Sequence, residues 1–353
     1  MTPRPRILTG DTPTGRLHVG HYVGSLENRL RLQRDHDCYV LVANVHAFTT
    51  RAEHPDDIRR DTFELVRDSL AAGIDPARAT FVVQSEIPAI AELTFLLAML
   101  IPYARVMRNP TLKDEIRSKR LGEHYSFGFP LYAVGQCADI LAFRAHLVPV
   151  GEDQAAHIEM TREVARRFNH VYGGVPSTTH DDDHERAGGV LPIPKALIGR
   201  VARLPGIDGV EKMSKSRGNA IYLSDSAEEI RKKVARLHTG RQSVTEPGDP
   251  NNALFQYARA FMPDPERVRE LADRYARGDH IGDAAIKHEV AAAIDALVAP
   301  MRERRAAVTD AQVLEIVREH TRRANAVADE TLRRVKQAMR LDFGAAGETP
   351  KRG

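Results

Sequence analysis

The chain contains no tryptophan and only two cysteines, Cys38 and Cys137, in 353 residues. Two thiols without metal-ligand spacing exclude both a thiolate zinc site and a disulfide scaffold, and they fit reduced thiols in a cytoplasmic protein. The lack of tryptophan excludes nothing. No apolar run of signal-peptide length opens the chain, and no stretch approaches membrane-spanning length, so a cytoplasmic protein without membrane contact is expected. A strong charge of one sign is also missing: 51 Lys/Arg face 48 Asp/Glu, a net +3. Bulk charge therefore says little about nucleic acid. What remains is ordinary for a folded protein, with 42% hydrophobic and 28% charged residues, and the length suffices for two domains.

Against this plain background one stretch stands out, Lys212-Met213-Ser214-Lys215-Ser216. Two ammonium groups and two hydroxyls on a loop can grip a triphosphate without supplying covalent chemistry. Pro205, Gly206, Gly209 and Gly218 surround it, which predicts a loop. A solvated basic turn is the bland alternative. Five specified positions match by chance in such a chain on the order of one time in ten thousand.

A partner motif lies near the N-terminus, in Thr12-Pro13-Thr14-Gly15-Arg16-Leu17-His18-Val19-Gly20-His21. Arg6–Gly10 reads as a short buried strand, and Val19, Tyr22, Val23, Leu26 and Leu30 recur at helical spacing. Strand, glycine-rich turn and helix start together aim backbone N–H groups at an anion, and Gly15 and Gly20 let phosphate approach. His18 and His21 flank Gly20, where ring nitrogens can donate to phosphate oxygens as charge builds. Alone, the motif is as easily a packed turn with exposed histidines.

Periodicity sets the organisation. Cys38–Ala47, Ala79–Gln84 and His146–Val150 read as buried strands; Asp57–Ala72, Ala89–Leu100 and Asp153–Phe168 read as helices. This alternation predicts an α/β fold, a doubly wound parallel sheet of Rossmann type, with ligands beyond the strand carboxyl ends. Past Ile221 helical patterns dominate. The expected division is a catalytic domain over 1–220, a helical domain over 221–325, and a last helix and tail over 326–353. Residues 301–340 hold ten Lys/Arg against six Asp/Glu, which leaves the rest of the chain at −1. Such a surface can hold an RNA backbone, or it can be an ordinary salt-bridged helix face. Thr309-Asp310-Ala311-Gln312 fits a capping box.

His-x-Gly-His after a first strand, with Lys-Met-Ser-Lys-Ser some two hundred residues later, resembles the paired signature of class I aminoacyl-tRNA synthetases. Spacing and length resemble the subclass that holds the tryptophanyl and tyrosyl enzymes. Val45-His46-Ala47-Phe48-Thr49, Ala72-Gly73-Ile74-Asp75-Pro76, Val83-Gln84-Ser85-Glu86 and Val148–Gln154 are similar to the bacterial tryptophanyl pattern. The resemblance implies ATP-dependent activation of L-tryptophan and its transfer to tRNA(Trp), with Mg²⁺ on the phosphates, a homodimer, and anticodon reading by the helical domain. His18, His21, Lys212 and Lys215 are then the catalytic residues. Thr12, Thr14, Gly15, Gly20, His21, Gly151, Asp153 and Lys212–Ser216 bind ATP, Lys113 being a further contact. Leu8, His46, Tyr132, Gln136, Asp139, Val150 and Gln154 line the tryptophan site.

The residues themselves speak to the last group. Tyr132, Gln136 and Asp139 share one helix face. A carboxylate facing a pocket accepts only from a donor, so Asp139 suits an indole N–H or a phenol hydroxyl and rejects an apolar side chain. Tyr-x-x-x-Gln-x-x-Asp looks like the tyrosyl enzymes' helix. Gly151-Glu152-Asp153-Gln154 and the flanking Thr161-Arg162 instead resemble the tryptophanyl pattern, and Gln136 marks a divergent member. A tyrosyl enzyme and a non-catalytic binding paralogue stay open as alternatives. His180-Asp181-Asp182-Asp183-His184-Glu185 holds metal-ligand residue types, yet its neighbours predict a solvated acidic loop.

Overall fold

The computed structural model describes residues 4–122, 124–199, 204–209, 213, 217–241 and 243–343. Five strands form one parallel sheet: β1 (Arg6–Asp11), β2 (Asp37–Val42), β3 (Ala79–Val83), β4 (Leu147–Val150) and β5 (Lys195–Ile198), in the order β3-β2-β1-β4-β5. From β1 the chain winds one way through β2 to β3, then returns to place β4 and β5 on the other side. The reversal between β1 and β4 opens a crevice at the strands' carboxyl ends, where such sheets bind ligands.

Strand alternation sorts the core onto the two faces. Ile7, Cys38, Val40, Val42, Phe81 and Val83 pack with the first helix, with the Pro55–Ala72 helix and with the later helices. Leu8, Tyr39, Leu41, Val82 and Val148 pack with the Pro88–Ala98, Gly128–Ala142 and Ala155–Gly173 helices. Both faces are covered, which is why the strands read as continuous apolar runs.

Two strand expectations change. The apolar run Cys38–Ala47 predicts one strand, but β2 stops at Val42 and Asn44–Arg51 is a helix. The Gln84 side chain accepts from the N–H groups of Val45 and His46 (3.1 and 3.3 Å), satisfying donors that a helix start leaves without partners. β5 has no counterpart among the expected strands, because Lys195–Ile198 forms an exposed edge with no buried residue.

After Ile221 the chain forms the helices Ala227–Ala235, Ala253–Phe261, Pro265–Arg277, Asp283–Ala307 and Asp310–Ala338. The last begins with the expected capping box, Thr309 and Gln312 exchanging side-chain and backbone bonds. It runs unbroken past residue 325 and crosses the β3 edge, placing Val313 with one core and Ala324, Ala328 and Val335 with the other. At the crossing the Phe81 N–H donates to His320 Nδ1 (3.0 Å), so the edge strand is capped rather than left open.

Candidate active site

The turn after β1 is fixed by charged side chains from three helices. Asp11, ending the strand, pairs with the buried Arg29, whose Nη2 also reaches Ser25 Oγ (3.0 Å). Arg51 donates to the Pro13 carbonyl (2.9 Å), and the Leu17 N–H donates to Asp68 Oδ2 (2.6 Å). Gly15 turns with φ of 105°, a conformation that penalises any side chain. Thr12 and Thr14 stand exposed on this turn.

His18 then caps the helix start. Its N–H donates to His21 Nδ1 (3.2 Å), while the His21 N–H donates to His18 Nδ1 (3.3 Å), and the rings lie 3.6 Å apart. Both Nδ1 atoms accept, so each neutral ring carries its proton on Nε2, the atom that can donate to a phosphate. Gly20 permits this packing: a Cβ there would come within 2.9 Å of His18 Nδ1 and 3.5 Å of Met213 Sδ.

Met213, from the second motif, is thus buried beside the first. The segment that follows is bonded to it as well. The Val19 N–H donates to the Ile221 carbonyl (2.9 Å), the Leu223 N–H donates to that of Leu17 (3.0 Å), and His18 pairs with Tyr222 in an antiparallel bridge. Two motifs two hundred residues apart meet here. Lys212, Ser214, Lys215 and Ser216 lie outside the described residues.

Across the crevice lies a second cluster. Asp139 is buried on the Gly128–Ala142 helix, with both carboxylate oxygens accepting from Gln84 Nε2 (2.8 and 3.0 Å). Burial pushes its carboxyl up to about 7, against the opposing pull of Gln84. His46 Nε2 lies 3.0 Å from the same Gln84 nitrogen and 3.7 Å from Asp139. The sequence pattern puts His46 at a strand end; it stands instead on the first turn of the Asn44–Arg51 helix. Burial lowers its ring to about 4, so it is neutral at pH 7.

Tyr132 and Gln136, partly open on the same helix, continue the wall. The Tyr132 hydroxyl sits 3.4 Å from His157 Nε2, and the His46 and Tyr132 rings are 5.8 Å apart. Gln136 donates to Gln154 Oε1 (3.4 Å), joining the helix to the turn after β4. Leu8 is buried in β1 and Val150 half-buried at the end of β4. Gly151 makes room for the Asp153 carboxylate, since a Cβ there would lie 2.7 Å from Oδ1. Lys113 is exposed on the Pro110–Ser118 helix; near that helix's start Thr111 Oγ1 donates to the Asp153 carbonyl (2.6 Å).

Sequence reasoning assigns no role to Gln84, Asn109 or His157, although each is buried here. Asn109 Nδ2 contacts His157 Nδ1 (3.1 Å). The available signal is a polar residue at an apolar position, Gln84 at the end of a buried strand. The acidic stretch 180–185 is largely exposed and ion-paired. Asp181 pairs with Arg162 and Arg166, Asp182 with Lys195, and Glu185 with Arg144 and His146. Basic neighbours tie this largely exposed loop to the chain beside β4 and β5. Among the described residues no three His, Cys, Asp or Glu are grouped to hold a metal ion.

A family model for class I tRNA synthetases (W and Y) matches residues 1–299. The chain belongs to that family. Within it, a tryptophan–tRNA ligase from Treponema pallidum is 43% identical over 347 residues, 95% of this chain and 97% of the relative. One from Lactococcus lactis is 40% identical, over 96% and 99%. Among solved synthetases, the tryptophanyl-tRNA synthetase from Campylobacter jejuni complexed with ADP and tryptophan superposes with a TM-score of 0.77 at 28% identity, over 95% of this chain and all of that one. A tyrosyl-tRNA synthetase from Archaeoglobus fulgidus shares the fold at 21% identity and a TM-score of 0.63.

Proposed function

We propose that this chain activates L-tryptophan with ATP and transfers it to tRNA(Trp). One observation carries the reading: the His18–His21 turn meets the Met213 and Ile221–Leu223 segments at the switch point of the sheet, across from the buried Asp139. ATP lies over Gly15 and Gly20 at the first helix start, with His18 and His21 donating to its phosphates. Asp153 and Gly151 hold the ribose. Tryptophan enters between His46, Tyr132, Gln136 and Gln154, and its indole N–H is given to Asp139.

The tryptophan carboxylate attacks the α-phosphorus, the bond to the bridging oxygen breaks, and pyrophosphate leaves with that electron pair. No side chain acts as nucleophile; positioning and charge stabilisation lower the barrier. Lys212 and Lys215 hold the departing pyrophosphate. Mg²⁺ would supply charge neutralisation on the phosphates, and no described group of His, Cys, Asp or Glu would be needed to hold it. The adenylate then passes its tryptophanyl group to the terminal ribose of the tRNA, releasing AMP.

Relatives named tryptophan–tRNA ligase at 40–43% identity support tryptophan over tyrosine. The helical part carries the RNA: Arg318 and Arg322, exposed and four residues apart, have no ion pair among the described residues. Phe95, Met99, Tyr103 and Phe127 are large apolar side chains left 59–73% exposed, and they support a homodimer. The two buried thiols, pushed up to about 12 by burial, fit a reducing cytoplasm. No described helix is long and apolar enough to cross a membrane.

Amino-acid-dependent ATP–pyrophosphate exchange tests the reading. Exchange with tryptophan is the expected result. Exchange with tyrosine alone makes this a tyrosyl enzyme, and exchange with neither makes it a binding protein. Lys215→Ala is expected to lose most exchange while tryptophan binding survives.

A further inference from the structure

The Asp283–Ala307 helix is remote in sequence from both motifs, yet it is tied to the turn before His18 and to the Tyr222–Asp225 segment that pairs with His18. Arg305 Nε donates to Asp68 Oδ1 (2.6 Å), and the other oxygen of that carboxylate accepts the Leu17 N–H (2.6 Å). Leu17 directly precedes His18. The Asp68 side chain is fully buried, so Arg305 and the Leu17 N–H, rather than water, satisfy its oxygens.

One turn away, Arg302 Nη1 donates to the Asp225 carbonyl (2.8 Å), and Asp225 Oδ2 accepts the Tyr222 N–H (2.7 Å). Tyr222 is the residue bridged to His18. Arg302 and Arg305 are three residues apart, hence neighbours on one helix face. Pro300 sits just before them and cannot donate to the turn behind it, so the helix end carrying both arginines lacks a backbone rung.

We propose that Arg302 and Arg305 are positioning residues for the activation step, holding the turn before His18 and the Tyr222–Asp225 segment in register. Neither touches the substrates. The helical part of the chain thereby sets the geometry of the phosphate site, and whatever shifts the Asp283–Ala307 helix shifts that geometry too. The inference rests on the activation chemistry proposed above.

Arg305→Gln and Arg302→Gln, alone and combined, test it by tryptophan-dependent exchange. Because the chain holds no tryptophan, the fluorescence of added tryptophan reports its binding directly. Arg305→Gln is expected to lower exchange kcat roughly tenfold or more, with the tryptophan Kd within about twofold. The double variant is expected to fall further. Arg304→Gln is the control: its side chain donates to the Ala71 carbonyl (2.6 Å) and reaches neither motif, so kcat should stay within about twofold. If Arg305→Gln does not fold, Arg305→Lys decides, since it keeps the charge but not the fork; a severalfold loss of kcat at unchanged melting temperature supports the assignment. Unchanged kcat in the folded variants overturns it, as does a parallel fall of kcat and tryptophan binding. An unmodified chain that exchanges with no amino acid overturns the activation reading itself and this inference with it.

Discussion

The two halves of the crevice are built on opposite principles. The turn before His18 is shaped by glycines, by the Asp11–Arg29 ion pair and by backbone groups tied to charged side chains, Pro13 to Arg51 and Leu17 to Asp68. The pocket around Asp139 is shaped by a buried network of neutral groups, with Gln84 at its centre and His46 and His157 both held near 4. Charge that builds and leaves in a reaction needs donors ready on a well-placed backbone. Choice between similar side chains needs desolvated groups that suffer when left unpaired. On the proposed function, one side serves rate and the other selection.

Substitutions should separate the two. Asp139→Asn should do the most, because it leaves one acceptor oxygen where two stood: either an amide donor meets Gln84 Nε2 or the pocket loses its acceptor. A loss of roughly 100- to 1,000-fold in kcat/KM for tryptophan is expected in exchange assays, with ATP KM little changed. Gly20→Ala attacks the other side, driving a Cβ into the His18 ring. It should cut exchange kcat roughly 100-fold and leave tryptophan affinity intact. Equal effects of both variants on kcat and on binding would erase the distinction.

Smaller changes sharpen it. A Cβ at residue 135 would lie 2.8 Å from His46 Nε2, so Gly135→Ala should raise the tryptophan KM roughly tenfold while kcat holds. Gln84→Leu removes the acceptor for Val45 and His46 and the donor to Asp139. Denaturant unfolding should show a loss of about 2 kcal/mol.

Acid titration should act on the pocket through Asp139. Asp139 accepts best when ionised, so tryptophan binding should weaken below pH about 7, by at most about tenfold per unit. Without ligand the sign reverses: the unfolded carboxyl ionises first, so stability from a neutral Asp139 is lost as pH rises from about 4 through about 7. Isothermal titration and thermal melts across that range would read both.

Much of the fold is legible in the residues alone. Four of five strands stand out as apolar runs, since a parallel sheet buried on both faces leaves little alternation to misread. β5 escapes because its edge is exposed and begins with lysine. His46 reads as strand because Val45-His46-Ala47 continues an apolar run; the Gln84 cap that starts a helix there comes from the end of another strand. Asp68 sits among Leu65, Val66, Ala71 and Ala72 on the buried side of its helix. A carboxylate in that company requires a partner, but the sequence cannot say that the partners are Leu17 and Arg305.

The sequence by itself determined the chemistry. Lys212–Ser216 and His18–His21 supply groups able to donate to phosphate, and Asp139 one able to accept from a donor-bearing side chain, because residue type fixes what a group can give or accept. Only the tertiary structure decided how those groups are held. It brought Met213 against Gly20, gave Asp139 to Gln84, and tied Asp68 and Asp225 to Arg305 and Arg302. Contacts across two or three hundred residues depend on how elements pack, and packing is set by volume and burial summed over the whole core rather than by any local string.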